Sequence, residues 1–351
     1  MIKIGITYDL RQDYLDLGFS EEETAEFDRP DTINSIESTL QYLRYETERI
    51  GNVWNLTRSL AAGDRWDMIF NIAEGLYGIS REAQIPALLE AYNIPYTFSD
   101  PLVLTLTLHK GVAKRILRDL GIPTPDFMEI ETLNDLKQVI LPFPIFAKPI
   151  AEGTGKGIDA TSRIENKNEL HAICLKLLNT YHQPVLLETY LPGREFTVGI
   201  VGTGKMARSV GVIEVILRDS AEQYAYSYIN KERCEVLVEY RKVSDAEALR
   251  AEEIALTAWR GVGCRDAGRV DLRTDTKGIP NIMEINPLAG LHPDHSDLPI
   301  ICKFYGISYT KLIQMIMESA MSRYESAKKP IRFESAPVTA IPARELKEST
   351  D

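Results

Sequence analysis

Blocks of apolar and polar positions alternate through the first hundred residues. Apolar runs at residues 2–7, 66–72 and 94–98 have the length and composition of buried strands. Apolar residues recur at helical spacing between them, at Ile33, Ile36, Leu40 and Leu43 and again at residues 85–89. This rhythm predicts a small parallel sheet with covering helices.

The pattern changes after Pro101. An amphipathic basic helix is predicted over residues 109–119, because Gly121, Pro123 and Pro125 follow it as stop signals. Further helices are predicted over residues 165–180, 246–260 and 309–324, and strands over residues 143–149, 185–188, 196–201, 206–215, 269–273 and 282–286. The polar, proline-interrupted residues 325–351 are predicted to form a flexible tail.

The acidic composition limits the functions open to this chain of 351 residues. A formal net charge of −11 argues against general nucleic-acid binding, which needs a basic surface, but permits a local cationic pocket for one nucleotide. No apolar run reaches the roughly 20 residues of a membrane helix, and the chain begins with a strand pattern, not a signal peptide. The four cysteines lack the spacing of a zinc or redox motif, so we expect reduced, buried thiols in a cytoplasmic protein.

Two segments near the C-terminus carry polar residues at alternating positions. Arg269 and Asp271 share one strand face, Glu284 and Asn286 share a face of the second strand, and turn residues 274–278 predict an antiparallel hairpin. The apolar residues assigned to the opposite faces are Val270, Leu272, Met283 and Ile285. If register aligns the polar faces, the oxygen ligands suit Mg²⁺ with nucleotide phosphates. A half-exposed hairpin is the alternative, but two facing carboxylates would repel without a cation, which favours the metal site.

A lysine strand and a glycine-rich loop follow each other in the middle of the chain. Lys148 ends an apolar strand, and residues 151–157 can bring backbone N–H groups close to phosphate oxygens. The order of residues matches neither a Walker loop nor a dinucleotide fingerprint, and a simple hairpin turn is the alternative. The linker at residues 188–195 can offer groups to adenine and ribose, although a plain domain connection is the preferred interpretation of this segment taken alone.

Taken in this order, the segments resemble the ATP-grasp fold, and in particular the D-alanine–D-alanine ligase family. The matching stretches are residues 121–125, 146–149, 152–154, 187–188, 195–198, 268–271 and 283–287. The resemblance implies an α/β (α+β) protein with an N-terminal Rossmann-like domain before the ATP-grasp domain. The expected division is residues 1–100 for the Rossmann-like domain, 101–185 and 186–324 for the two ATP-grasp subdomains, and 325–351 for the tail.

The resemblance also assigns roles to individual residues. It implies ATP contacts from Lys110, Lys148, Gly153, Thr154, Gly155, Glu188, Leu191, Glu195 and Lys231. Asp271, Glu284 and Asn286 match Mg²⁺ ligands, with Mn²⁺ as an alternative ion, and Arg269 matches the arginine that stabilises the oxyanion. The implied reaction joins a small carboxylate to an amino acid through an acyl phosphate, with ATP converted to ADP and phosphate. Family members are commonly dimers, so a homodimer is an expectation.

Several substrate positions depart from the family pattern. Asp31 replaces a glutamate that holds an amino group, Glu74 stands where the family has histidine, and Ser296 resembles the end of the acceptor pocket. His292 and His295, with no cysteine nearby in sequence, are interpreted as loop or pocket-lining residues and not as metal ligands. A ligase for another substrate pair is the expected function. The alternatives are a D-alanine–D-alanine ligase of cell-wall synthesis and a non-catalytic ATP-binding module.

Overall fold

Three β-sheets organise the computed structural model, which describes residues 1–327. The N-terminal region holds β1 (Lys3–Thr7), α1 (Arg11–Asp16), α2 (Pro30–Tyr42), β2 (Glu46–Gly51), α3 (Val53–Ala62), β3 (Met68–Asn71) and α4 (Gln84–Ala91). Its sheet is parallel, with strand order β2-β1-β3. Local signals set the helix ends: Asn52 caps the start of α3, and Gly63 ends it with a φ of +97°.

Two features of this sheet differ from the sequence prediction. Residues 94–98 form no ladder and contribute only one bridge, between Tyr96 and Ile69. The third strand is instead β2, which the apolar pattern does not reveal because its residues are mostly polar and it lies at the edge of the sheet.

The central region is an antiparallel sheet with one long helix. It contains α5 (Pro101–Leu108), α6 (Lys110–Asp119), β4 (Phe127–Ile130), β5 (Ile145–Pro149), β6 (Arg163–Ile164), α7 (Lys167–Tyr181) and β7 (Val185–Thr189). The strand order is β4-β7-β5-β6. The predicted boundary after residue 185 cuts β7, which pairs along its length with β4 and β5, so the central region extends to Thr189.

The C-terminal region is a larger antiparallel sheet. It contains β8 (Glu195–Val201), β9 (Arg208–Leu217), α8 (Tyr228–Glu232), α9 (Cys234–Leu237), β10 (Val238–Lys242), α10 (Ala246–Val262), β11 (Ala267–Thr274), β12 (Pro280–Asn286), α11 (Asp297–Phe304) and α12 (Tyr309–Ala327). The strand order is β10-β9-β8-β11-β12. Alanines of α10, with Trp259, pack on the apolar face formed by residues such as Val198 and Val270. The remainder of the predicted tail, residues 328–351, lies outside the described residues.

One apolar core joins the first and last regions. Ile4 and Ile36 of the N-terminal region are buried together with Ile213 of β9 and Leu312 of α12. A buried ion pair between Arg323 of α12 and Asp266 (2.5 Å) reinforces this contact, and Asp266 also accepts a hydrogen bond from the backbone N–H of Phe98 (2.8 Å). The N-terminal region is therefore packed against the larger sheet and its last two helices. No helix of residues 1–327 is long and apolar enough to cross a membrane.

Candidate active site

The hairpin of β11 and β12 presents four polar side chains on one face. Arg269 pairs with Asn286, and Asp271 pairs with Glu284, in antiparallel register. The register required for converging carboxylates is therefore present. The ladder shifts after Asp271, and this irregularity turns Met283 towards the same cavity as Glu284 instead of the opposite face.

The oxygen atoms of this face are already oriented by neighbours. Asp271 forms an ion pair with Arg269 and accepts hydrogen bonds from Asn286 Nδ2 (3.2 Å) and Thr197 Oγ1 (3.1 Å). Glu284 Oε1 lies 2.8 Å from Lys110 Nζ. Two carboxylates and one amide, grouped on adjacent strands beside a cavity, form the hard-oxygen donor set that Mg²⁺ prefers.

Three lysines surround these carboxylates. Burial alone would raise the pKa of Glu284, but Lys110, Lys231 and Lys148 together lower its pKa to about 2. Lys110 comes from α6, Lys148 from β5 and Lys231 from α8, so each region except the N-terminal one supplies charge. A cavity of about 70 Å³ adjoins this cluster. Its lining includes Phe146, Lys148, Glu195, Lys231, Asp271, Met283 and Glu284, but not Lys110. The arrangement suits a polyanion such as a nucleotide phosphate.

Glu188 occupies a different position from the other predicted ATP contacts. Its carboxylate is fully buried, 2.5 Å from Lys114 Nζ and 2.8 Å from Lys148 Nζ. Burial would raise the pKa of Glu188, but the two lysines lower it. Neither Glu188 nor Leu191 lines the cavity beside the hairpin. Lys114 was not predicted as a site residue, although it lies four residues after Lys110 on the same helix and therefore on the same face.

Glu195, the expected ribose contact, does line that cavity. Burial raises the pKa of its carboxyl, while Arg273, whose Nη1 lies 3.6 Å from Glu195 Oε2, opposes the shift. The position at the start of β8, paired with Arg273 on β11, places a hydrogen-bond acceptor within the same cavity as Lys148 and Lys231.

The glycine-rich loop is packed between two other segments. The Gly153 N–H donates to Glu26 Oε1 at 2.5 Å, and Glu26 pairs with Arg81 at 2.8 Å. Gly155 has a φ of +75°, and a Cβ there would lie 2.8 Å from the backbone nitrogen of Tyr228. The loop therefore lies against the segment that carries Lys231, with no space for a side chain at this contact. Glu26 and Arg81, which fix the loop to the N-terminal region, were not predicted.

A second cavity, of about 160 Å³, opens on the other side of Arg269. Its lining includes Arg11, Glu26, Asp28, Arg29, Glu74, Thr154, Tyr226, Lys231, Arg269, His292, His295, Ser296 and Asp297. The predicted substrate residues Glu74 and Ser296 lie in this set, but Asp31 does not. Its side chain is 61% exposed, and its Oδ2 lies 3.1 Å from His292 Nε2. Asp28, three residues earlier, takes the position in the cavity that Asp31 was expected to occupy.

Two carboxylates of this cavity have strongly perturbed acidity. Burial, with repulsion from Asp9 and Asp31, raises the pKa of Asp28 to about 8. Burial and the neighbouring acids Glu82, Glu26 and Asp28 raise the pKa of Glu74 well above its ordinary value. A cation brought by a ligand would stabilise the ionised form of both carboxyl groups.

The segment that carries Lys231 is tied to both cavities. Tyr226 lies beside Tyr240 (2.5 Å between hydroxyl oxygens), and Tyr240 donates to Asp297 Oδ1 (3.2 Å). Asp297 Oδ2 is in turn 3.5 Å from Arg269 Nη1. A chain of contacts thus runs from the residues before α8, through α11, to the arginine at the centre of the site.

Comparisons with known proteins agree with this geometry. Residues 116–318 match the family described as D-ala D-ala ligase C-terminus. The chain belongs to the D-alanine–D-alanine ligase family. Among its relatives, the uncharacterised protein y4sG of Sinorhizobium fredii is 32% identical over 266 residues, covering 73% of this chain and 75% of the relative. The D-alanine–D-alanine ligase of Bordetella petrii is 30% identical over 276 residues, covering 77% of this chain and 80% of that enzyme.

Solved structures of this family share the fold. The D-alanine–D-alanine ligase of Bacillus anthracis complexed with ATP superposes with a TM-score of 0.70 at 23% identity, covering 93% of this chain and 100% of that one. The VanG D-Ala:D-Ser ligase of Enterococcus faecalis gives a TM-score of 0.69 at 18% identity, covering 91% and 99%. The predicted ATP-grasp fold is confirmed, and with it an ATP-dependent, ADP-forming ligase.

Proposed function

We propose that this enzyme joins a small carboxylic acid to the amino group of an amino acid through an acyl phosphate, on a substrate pair other than two D-alanines. The observation that carries the reaction type is the single polar face of β11 and β12, where Arg269, Asp271, Glu284 and Asn286 meet three lysines. Two cavities adjoin this face, one with the lysines and one with the substrate candidates.

Two groups of residues act in the first step, one on the phosphates and one on the metal ion. Lys110, Lys148 and Lys231 hold the phosphates of ATP, and Asp271, Glu284 and Asn286 would hold Mg²⁺, or Mn²⁺ in its place. The metal ion, when bound, supplies charge neutralisation for the transferred phosphoryl group. A substrate carboxylate in the second cavity attacks the γ-phosphate, and ADP leaves. The contact between Gly155 and Tyr228 supports exclusion of water from the acyl phosphate.

Arg269 has the position required for the second step. It lines the substrate cavity and pairs with Asp271 of the metal face, so it lies between the two. When the amine attacks the acyl phosphate, negative charge develops on the carbonyl oxygen, and a fixed guanidinium stabilises it. Phosphate then leaves as the amide forms.

The acid composition of the substrate cavity supports a substrate pair other than two D-alanines. An attacking amine must lose its proton, so two D-alanines keep only one ammonium group in the reactive complex. Burial, and after it repulsion from neighbouring acids, raises the pKa values of Asp28 and Glu74 in this cavity. A substrate pair with one positive charge more than two alanines bring would be stabilised beside these two carboxylates.

Phosphate release measured against a matrix of D- and L-amino acids and small carboxylates tests this function. The amino acids include diamino acids, and products are identified by mass. We expect ADP and phosphate, with the fastest turnover for a pair other than D-alanine with D-alanine. Fastest turnover with two D-alanines would favour a cell-wall ligase, and nucleotide binding without substrate-dependent phosphate release would favour a binding module. Pyrophosphate among the products would contradict the acyl phosphate.

A further inference from the structure

Three metal-binding side chains converge outside the ATP site. Cys234 begins α9, Glu235 follows it, and His295 lies in the loop before α11. His295 Nδ1 is 3.7 Å from Cys234 Sγ and 3.0 Å from Glu235 Oε1, and one ligand atom of each residue lies within 4.8 Å of the others. Although 61 residues separate Cys234 from His295 in sequence, the fold brings them together.

Hydrogen bonding alone does not satisfy this cluster well. Both Cys234 and Glu235 approach the same nitrogen, Nδ1 of His295. In a neutral imidazole that nitrogen either accepts from the thiol or donates its N–H to the carboxylate, with sulfur as only a weak second acceptor, so one of the two contacts is weak. A cation resolves the conflict, because thiolate, imidazole and carboxylate can all donate electron pairs to it.

The distances fit a tetrahedral ion. Bonds of about 2.3 Å to sulfur and about 2.05 Å to nitrogen and oxygen put tetrahedral ligands about 3.6 Å apart for sulfur and nitrogen, and about 3.4 Å apart for nitrogen and oxygen. The observed separations are 3.7 Å for sulfur and nitrogen and 3.0 Å for nitrogen and oxygen, and all ligand atoms lie within 4.8 Å of one another. Side-chain rotation would have to bring these distances to the tetrahedral values. A donor set of one sulfur, one nitrogen and one carboxylate oxygen selects zinc over magnesium.

We propose that Cys234, Glu235 and His295 form a Zn²⁺ site, separate from the Mg²⁺ ligands on β11 and β12. The thiol of Cys234 loses its proton to solvent as the sulfur–zinc bond forms. Three protein ligands leave a fourth position for water or a ligand atom. Cys234 and Glu235 border one cavity and His295 borders the substrate cavity, so the fourth position has access to solvent.

The proposed zinc site would connect two segments that border the ATP and substrate sites. Lys231 of α8 lies three residues before Cys234, and His295 belongs to the loop that follows Glu284 and Asn286 of β12. Zinc would therefore tie the segment that carries a phosphate-binding lysine to the loop that borders the substrate cavity. Binding should favour the arrangement in which Lys231 faces Glu284.

Metal binding by the full, tag-free chain tests the proposal. The reduced protein is stripped with chelator and titrated with Co²⁺ and Zn²⁺ in excess Mg²⁺, which occupies the oxygen sites. We expect a sulfur-to-cobalt charge-transfer band, one tightly held zinc per chain by elemental analysis, and a melting temperature raised by zinc. Cys234→Ser should lose the band, and His295→Gln should bind zinc at least tenfold more weakly.

Two matched variants separate this site from general metal binding. His292→Gln changes the other histidine of the same loop, and Cys302→Ser changes another buried thiol. Both should keep the band and the affinity. The proposal is overturned if the folded wild-type protein shows no band, or if Cys234→Ser binds zinc as tightly as the wild type. Because binding is measured without substrates, neither result depends on the proposed ligase activity.

Discussion

The substitution Glu188→Gln should lower the free energy of unfolding, because it removes the common counter-ion of two buried lysines. The carboxylate is fully buried between Lys114 Nζ, at 2.5 Å, and Lys148 Nζ, at 2.8 Å. Glutamine keeps the shape of the side chain and removes its charge. Two ammonium groups would then share a buried site without their common counter-ion, and removal of one partner from a buried ion pair costs about 3–5 kcal/mol.

The protonation of Lys114 limits this cost and makes it depend on pH. Burial lowers the pKa of Lys114 from 10.5 to about 8, although Glu188 opposes the shift. The unfolded chain therefore binds more protons than the folded protein between those two values, and the contribution of Lys114 to stability rises with pH across that window. Without Glu188, Lys114 can release its proton already at pH 7, so we expect a loss near the lower limit, about 3 kcal/mol. The loss should be smaller at pH 9, where Lys114 is largely neutral even in the wild type.

Urea unfolding followed by tryptophan fluorescence at pH 7 and pH 9 measures these differences. Glu165→Gln is a matched control, because Glu165 Oε1 lies 2.8 Å from Arg163 Nη2 but the Glu165 side chain is 51% exposed. Exposed pairs contribute about 1 kcal/mol or less. If Glu188→Gln loses no more stability than Glu165→Gln at pH 7, the two lysines do not depend on Glu188 and the reasoning fails.

Three further substitutions test the reaction centre and the substrate cavity. Arg269→Met should lower turnover roughly a hundredfold, about 3 kcal/mol, with little change in nucleotide affinity. Turnover and melting temperature are measured on one preparation, and an unstable but normally active variant would indicate a structural role. Glu284→Gln should abolish turnover and weaken the Mg²⁺ dependence of nucleotide binding, while its circular dichroism spectrum stays that of the wild type. An unaltered Mg²⁺ dependence in calorimetry would contradict the role of Glu284 as a metal ligand. The stability of Asp28→Asn relative to the wild type should increase as the pH rises from about 4 to about 8. The folded-state pKa of about 8 lies above the ordinary 3.8, so the wild type loses stability across this window, whereas asparagine does not titrate. A stability difference that is constant across this range would refute the assignment.

The sequence predicted those parts of the site that depend on local periodicity. Alternation in β11 and β12 placed Arg269 with Asp271 and Glu284 with Asn286, because neighbouring strand residues point to opposite faces. Glycine and proline positions located the ends of α6 and the loop after β5. The short turn predicted that the two strands pair, but their register stayed open until the structure paired Asp271 with Glu284.

Contacts between distant segments needed the tertiary structure. Whether Asp28 or Asp31 enters the substrate cavity depends on how α2 packs against the loop after β12. The sequence singled out Asp31, whereas Asp28 lines the cavity. The burial of Glu188 between two lysines depends on α6 crossing the central sheet. Cys234 and His295 meet only because the segment before β10 and the loop before α11 fold against each other.

The sequence by itself predicted the ATP-grasp fold, from the joint order of its segments, and the polar face of the hairpin, from alternation within two neighbouring strands. The phosphate-binding role of the three lysines stays a prediction that rests on the resemblance. Tertiary structure alone decided which acids face the substrate and which side chains converge on the zinc site. Local periodicity tells which face of an element a residue occupies. The element that this face meets is set by long-range packing, in which many apolar contacts, such as those of Ile36 and Leu312 in the shared core, act together.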